Sequence, residues 1–190
     1  VIVGAVLSMI ASARVQSTFN KYAKVRSMTG MTGAEAAERI LHYNGIYDVQ
    51  IQRVSGNLTD HYNPSKKVLS LSDSTYASAS VAAVGVAAHE CGHAIQHDVG
   101  YGPLKLRSSL VPAANIGSKL GIPLILLGVF LSYNSVLIQI GIWVFALAVL
   151  FQVVTLPVEF NASSRAVEAL DSMGILAGEE VSQCRKVLSA

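Results

Sequence analysis

The sequence predicts an α+β membrane protein, mainly helical, in which a small antiparallel sheet accompanies transmembrane helices. Three observations carry this. Charged residues make up only 14% of the 190 positions and 52% are hydrophobic, against roughly 25% charged in an ordinary soluble domain; mean hydropathy is +0.46. From Leu120 to Val158 no residue is charged, a tract long enough for two membrane crossings. Between Tyr47 and Asp73 apolar and polar residues alternate, the period of a half-buried strand. The net charge of +2, with no basic run interleaved with aromatics, excludes a nucleic-acid partner. Two cysteines, Cys91 and Cys184, are too few for a disulfide framework and favour a reducing compartment.

The elements follow in order. The opening "VIVGAVLSMIASA" has no basic region ahead of it, so it reads as the tail of a membrane helix rather than a signal-peptide remnant. Both ends of the chain look cut, and the sequence is expected to be a fragment. Arg14, Lys21, Lys24 and Arg26 form a basic collar of the kind found where a span leaves the bilayer. In "TGAEAAERILHYNG", Thr32 and Glu35 stand at capping-box spacing and Gly45 supplies the stop of a short amphipathic helix. "YDVQIQRVSGNLTDHYNPSKKVLSLSD" reads as three antiparallel strands, turning at Gly56-Asn57 and near Asn63-Pro64. From about Ser78 an Ala- and Val-rich helix begins, ended by Gly100, Gly102 and Pro103. A membrane hairpin spans 110–158 with "SYN" at 132–134 as its tip; its first arm includes Lys119, which could snorkel to the interface. A helical segment over 159–190 closes the chain. The expected division is thus 1–13, a partial transmembrane helix; 14–109, the region of the Ala-rich helix; 110–158, the hairpin; and 159–190.

The Ala-rich helix contains His89-Glu90-Cys91-Gly92-His93, the HExxH pattern. On a helix His93 falls about 40° from His89 and roughly 6 Å along the axis, so both imidazoles can meet one ion, with zinc the natural occupant. Glu90, about 100° round, can take a proton from a water at that ion. An apolar helix carrying this many ionisable groups favours a metal site over histidines that merely pack. His97 lies roughly 12 Å from His89, too far to share the ion, and is expected nearby or at the surface. The longer HExxHxxGxxH pattern fails at Gln96 and Val99, so the third ligand must come from elsewhere. Cys91 points about 200° away from His89 and suits packing. Glu159, the first charge after the hairpin, is the best third ligand: Pro157 can start a helix there, and Ala162, Ser163 and Ala166 make a small-residue face matching Gly85, Ala88 and Gly92. Asp171 is the rival. A Glu at that place could instead serve only the helix dipole.

"LTDHYNPSKKVLSLS", "GVAAHECGHAIQH" and "FQVVTLPVEFNASSRA" in this order, with a hairpin between the last two, resemble the bacterial neutral zinc metallopeptidases of the YugP type. The resemblance covers nearly the whole chain. It implies a zincin-like catalytic region in a membrane-bound zinc peptidase, one Zn2+ per chain held by His89, His93 and Glu159, Glu90 as catalytic base, and a further membrane helix after residue 190. Thermolysin-like enzymes place an Asp four residues after the ligand Glu; Ser163 stands there, which leaves support of the ligand histidines unassigned.

The expected chemistry is attack of an activated water on a peptide carbonyl, with Glu90 as base. An extended, membrane-associated substrate could add to a sheet edge in "LTDHYNP" or "VLSLS". His61, Tyr62 and Arg165 are candidates for stabilising the oxyanion. Two alternatives stay open: a site-2-type intramembrane protease using Asp171, and a zinc-binding membrane scaffold without catalysis. The latter is opposed by Glu90, which a structural site does not need. Basic residues flank every expected span but not the hairpin tip, so the positive-inside rule places the catalytic face in the cytoplasm of a multi-pass protein of the bacterial cell membrane.

Overall fold

A computed structural model describes residues 2–131 and 134–190, leaving Ser132 and Tyr133 of the expected hairpin tip outside the described residues. Its elements are α1 (Ile2–Tyr22), α2 (Gly33–Tyr43), β1 (Gln50–Val54), β2 (His61–Asn63), β3 (Val68–Ser72), α3 (Asp73–Tyr76), α4 (Val81–Asp98), α5 (Gly102–Phe130), α6 (Ser135–Ser172) and α7 (Glu179–Leu188). They form two compact units, one comprising the chain up to Val99 together with Asn161–Ala190, the other Gly100–Phe160.

The first unit is organised around α4. Ser80 caps this helix by accepting from the Ala83 amide, and most of its residues are buried because Ala, Val and Gly present almost no polar side chains on any face. Helix α2 packs on it through Ala36, Ala37, Ile40 and Leu41, all essentially inaccessible; burying Ile40 alone contributes roughly 1.5–3 kcal/mol. The entry of α2 is the expected capping box: Thr32 Oγ1 accepts from Glu35 N at 3.3 Å and Glu35 Oε2 accepts from Thr32 N at 2.8 Å. Leu69 and Leu71 of β3 and Leu170, Ile175 and Leu176 beyond them complete the core.

The three strands are present, but the sheet is mixed rather than antiparallel. Its order is β1-β3-β2, with β1 parallel to β3 and β2 antiparallel to it. Gly56 and Asn57 therefore do not close a hairpin. The side chains of two aspartates account for the difference. Asp73 accepts from the Gly56 amide and from Arg53, and Asp60 accepts from the amide and hydroxyl of Ser72. The loop leaving β1 is thereby fastened to the end of β3, which fixes both strands with their C-terminal ends together.

The other unit is a pair of long helical segments. Both α5 and α6 are long and apolar enough to cross a membrane. They meet through glycines: a Cβ on Gly117 would lie 2.5 Å from the Val144 carbonyl oxygen, and one on Gly121 would lie 2.9 Å from the Phe145 Cβ, so the backbones approach as they do where packing must work without a hydrophobic driving force. Leu126, Phe130, Trp143 and Leu150 face outward. Helix α5 begins at Gly102, earlier than expected, with Pro103 in its first turn. Pro157 does not restart a helix: α6 runs unbroken through it for 38 residues, and the expected boundary at 158/159 falls inside this helix. Likewise α1 continues past residue 13 to Tyr22, where Phe19 and Tyr22 are buried with Ala82.

Candidate metal centre

His89 and His93 stand one turn apart on α4, their rings 4.8 Å apart between centroids and nearly perpendicular at 83°. His93 is buried and His89 half-buried. Together with Glu159 of α6 they form a group whose ligand atoms all lie within 4.8 Å of one another. Among the described residues no other set of three His, Cys, Asp or Glu side chains gathers this way.

The approach of α6 to α4 is permitted by Gly92. A Cβ there would lie 2.5 Å from the Ala162 carbonyl oxygen, a backbone atom that cannot step aside. Gly85, on the same small-residue side of α4, serves a different neighbour, the Sγ of Cys184 on α7. On either side of Ala162 the helix contact turns polar. Ser163 Oγ lies 3.1 Å from His89 Nδ1. On the other ligand, His93 Nδ1 lies 3.1 Å from Gln96 Oε1, Gln96 Nε2 donates to Asn161 Oδ1 at 3.0 Å, and Arg165 Nε donates to the same oxygen at 2.8 Å. With Nδ1 turned to a protein partner in both rings, Nε2 is the nitrogen each would offer an ion.

Gln96 and Asn161 are positions behind His93 that sequence reasoning missed; Gln96 entered it only as the residue that breaks a longer motif. The one available signal was a polar residue three positions after His93 on an apolar helix, which the structure buries completely. Ser163, a candidate for supporting a ligand histidine where thermolysin-like enzymes place an Asp, sets its hydroxyl beside His89 Nδ1.

The remaining candidates are spread more widely. Glu90 is buried to 9% exposure. Glu159 also faces Arg107 of α5 at 3.5 Å. Tyr62 on β2 bonds through its hydroxyl to His97 Nδ1 at 2.9 Å, and burial, with the charges of Asp48 and Asp98 adding to it, pushes the phenol up to about 12. His61 is exposed and turned to the Thr59 carbonyl. Arg165 is committed through Nε to Asn161. Asp171 is exposed and lies outside the three-residue group. Cys91 is fully buried, its Sγ toward the Ala37 carbonyl, and burial raises its thiol far above the ordinary range.

Two histidines one helical turn apart and a carboxylate from another helix are the donor set of a zinc-dependent hydrolase. The comparisons with known proteins agree with that class. The chain belongs to the family described as "Putative neutral zinc metallopeptidase", whose model matches residues 1–190. It is 48% identical over 184 residues to a Bacillus subtilis (strain 168) protein named "Putative membrane protease YugP", a match covering 97% of this chain and 81% of that protein. No solved structure matches it.

Proposed function

We propose that this chain is a membrane-bound zinc metalloendopeptidase acting on membrane-associated or cytoplasmic-side proteins. The observation that carries the reading is the gathering of His89, His93 and Glu159 donor atoms on the helix turn that also bears Glu90. The residues fit zinc: two imidazoles with Nδ1 directed to Ser163 and Gln96, and one carboxylate, leave room in a four-coordinate site for a non-protein ligand, as catalytic sites require. Zinc held there would supply a Lewis acid to polarise the scissile carbonyl and acidify a water molecule.

Glu90 is the base. Its carboxylate takes the proton of the attacking water and passes it to the nitrogen of the departing amine. The low exposure of Glu90 and His93 limits competing solvent, which strengthens charge interactions at the reacting atoms. An extended substrate is read as pairing with β2: that strand is at the sheet edge and packs on α4, whereas β3, carrying "VLSLS", is central and has both sides paired. The bilayer is the second partner, met by α5 and α6, with the catalytic face on the cytoplasmic side of a bacterial cell membrane.

Metal analysis of the purified chain in detergent tests this. One zinc per chain is expected, with a large loss in Glu159→Ala. Retention of zinc in that variant alongside its loss in Asp171→Ala would overturn the ligand assignment.

A further inference from the structure

We infer that the outer face of α5 docks a transmembrane helix of another protein, one that carries an Asp or Glu about halfway through the bilayer. The inference rests on the proposed membrane insertion of α5 and α6 and not on zinc. Ser108, Pro112, Asn115, Lys119, Ile122 and Leu126 recur along α5 at alternating intervals of four and three residues. That spacing is the seam of a helix packed against a second helix, and all six residues are exposed. They fall within about 40° of one direction. The glycines that meet α6 point the opposite way, Gly117 against Val144 and Gly121 against Phe145. Pairing with α6 therefore leaves the seam uncovered.

The centre of the seam is polar where a face turned to lipid is apolar. Lys119 stands about 16 Å along the axis from Phe130, at the end of α5, which is half of a hydrocarbon core roughly 30 Å thick. The register with α6 gives the same depth. Gly117 and Gly121 bracket Lys119, and both meet α6 near the middle of the uncharged stretch that ends at Val158. At mid-depth the stem of a lysine is too short to carry its ammonium to either interface, so the charge needs an acceptor inside the membrane. This chain brings none there, because no Asp or Glu precedes Glu35 or lies between Asp98 and Glu159. A second copy docked through the same helices would add another Lys119 and no acid. Asn115, one turn away on the same seam and also exposed, supplies an amide NH2. A carboxylate on the docked helix accepts from both.

The full chain, donor-labelled and reconstituted in phosphatidylcholine vesicles, is titrated with acceptor-labelled single-span peptides rich in Leu and Ala, and energy transfer reads association. A peptide with Asp at its centre should bind about tenfold more tightly than one with Leu there. Lys119→Met should lose that preference, and Lys119→Glu should transfer it to a peptide with a central Lys. Equal binding of the Asp and Leu peptides would overturn the inference and leave Lys119 to lipid. A preference that persists in Lys119→Met, or no gain for the central-Lys peptide in Lys119→Glu, would overturn it as well. So would transfer between two labelled copies that Lys119→Met abolishes and the Asp peptide does not displace, which would assign the face to a second copy. No part of the measurement needs metal: a chain that binds no zinc sinks the peptidase reading and not this one, whereas a chain that fails to insert sinks both.

Discussion

Ser163 sets a neutral hydroxyl, not a charged acceptor, beside His89. Its Oγ, 3.1 Å from His89 Nδ1, can hold the ring but cannot compensate a positive charge, so Ser163→Ala should weaken zinc by about tenfold in chelator competition. An unchanged affinity would show that packing alone orients His89. Glu90 is separable from the ligands. In Glu90→Gln zinc content should stay at the level of the unmutated protein while peptidase activity falls by about 10²–10⁴-fold; equal losses of zinc and activity would make it structural. The cysteines give a different kind of residue-level expectation. Cys91 and Cys184 are both free and buried, and burial, opposed in part by Arg185, pushes the Cys184 thiol up to about 12. Thiolate is the reactive form. Neither should therefore react with a thiol reagent at mildly alkaline pH until the protein is unfolded, and rapid native labelling of either would contradict their placement in the core.

At the scale of elements, the two glycines of α4 make a matched pair. Gly92→Ala sets a methyl 2.5 Å from the Ala162 carbonyl oxygen, while Gly85→Ala sets one 2.7 Å from Cys184 Sγ. Both should destabilise by about 1–3 kcal/mol, read from thermal or denaturant unfolding. Only Gly92→Ala should also weaken zinc, because it displaces the segment carrying Asn161 and Ser163; equal effects on zinc would mean that α7 supports the site as directly as α6 does. The pair also marks the limit of what a sequence discloses. A stripe of small residues announces that something comes close, and not what. The capping box at Thr32 and Glu35 and the helical run through His89 and His93 were legible because their signals are local. The parallel pairing of β1 with β3 was not, since alternation gives a strand its two faces but not its neighbour, and the Asp60 and Asp73 contacts that impose it link distant positions. Pro157 read as a beginning because proline is favoured in first turns, yet a long helix tolerates one lost amide.

For the whole molecule, the proposed orientation places the loops rich in Lys and Arg on the cytoplasmic side and the α5–α6 connection outside. In a full-length protein carrying Cys91→Ala and Cys184→Ser, a cysteine introduced at Ser135 should label from outside intact cells and one at Ser65 should not; the reverse pattern would put the peptidase outside. Of the candidate site, the motif on α4 was readable outright and Glu159 could be narrowed by helix geometry. The amide pair of Gln96 and Asn161 could not, because two polar residues 65 positions apart leave no periodic trace. One feature of α6 reaches beyond the site itself. No break separates Leu156, the end of its most apolar stretch, from Glu159, and at 1.5 Å per residue the carboxylate stands about 4.5 Å farther along the axis. In the proposed reading such a helix is a depth gauge. The enzyme would choose a peptide bond first by its height above the lipid and only then by the side chains around it, so that a folded partner whose vulnerable bond rides high on its own surface is spared whatever its sequence.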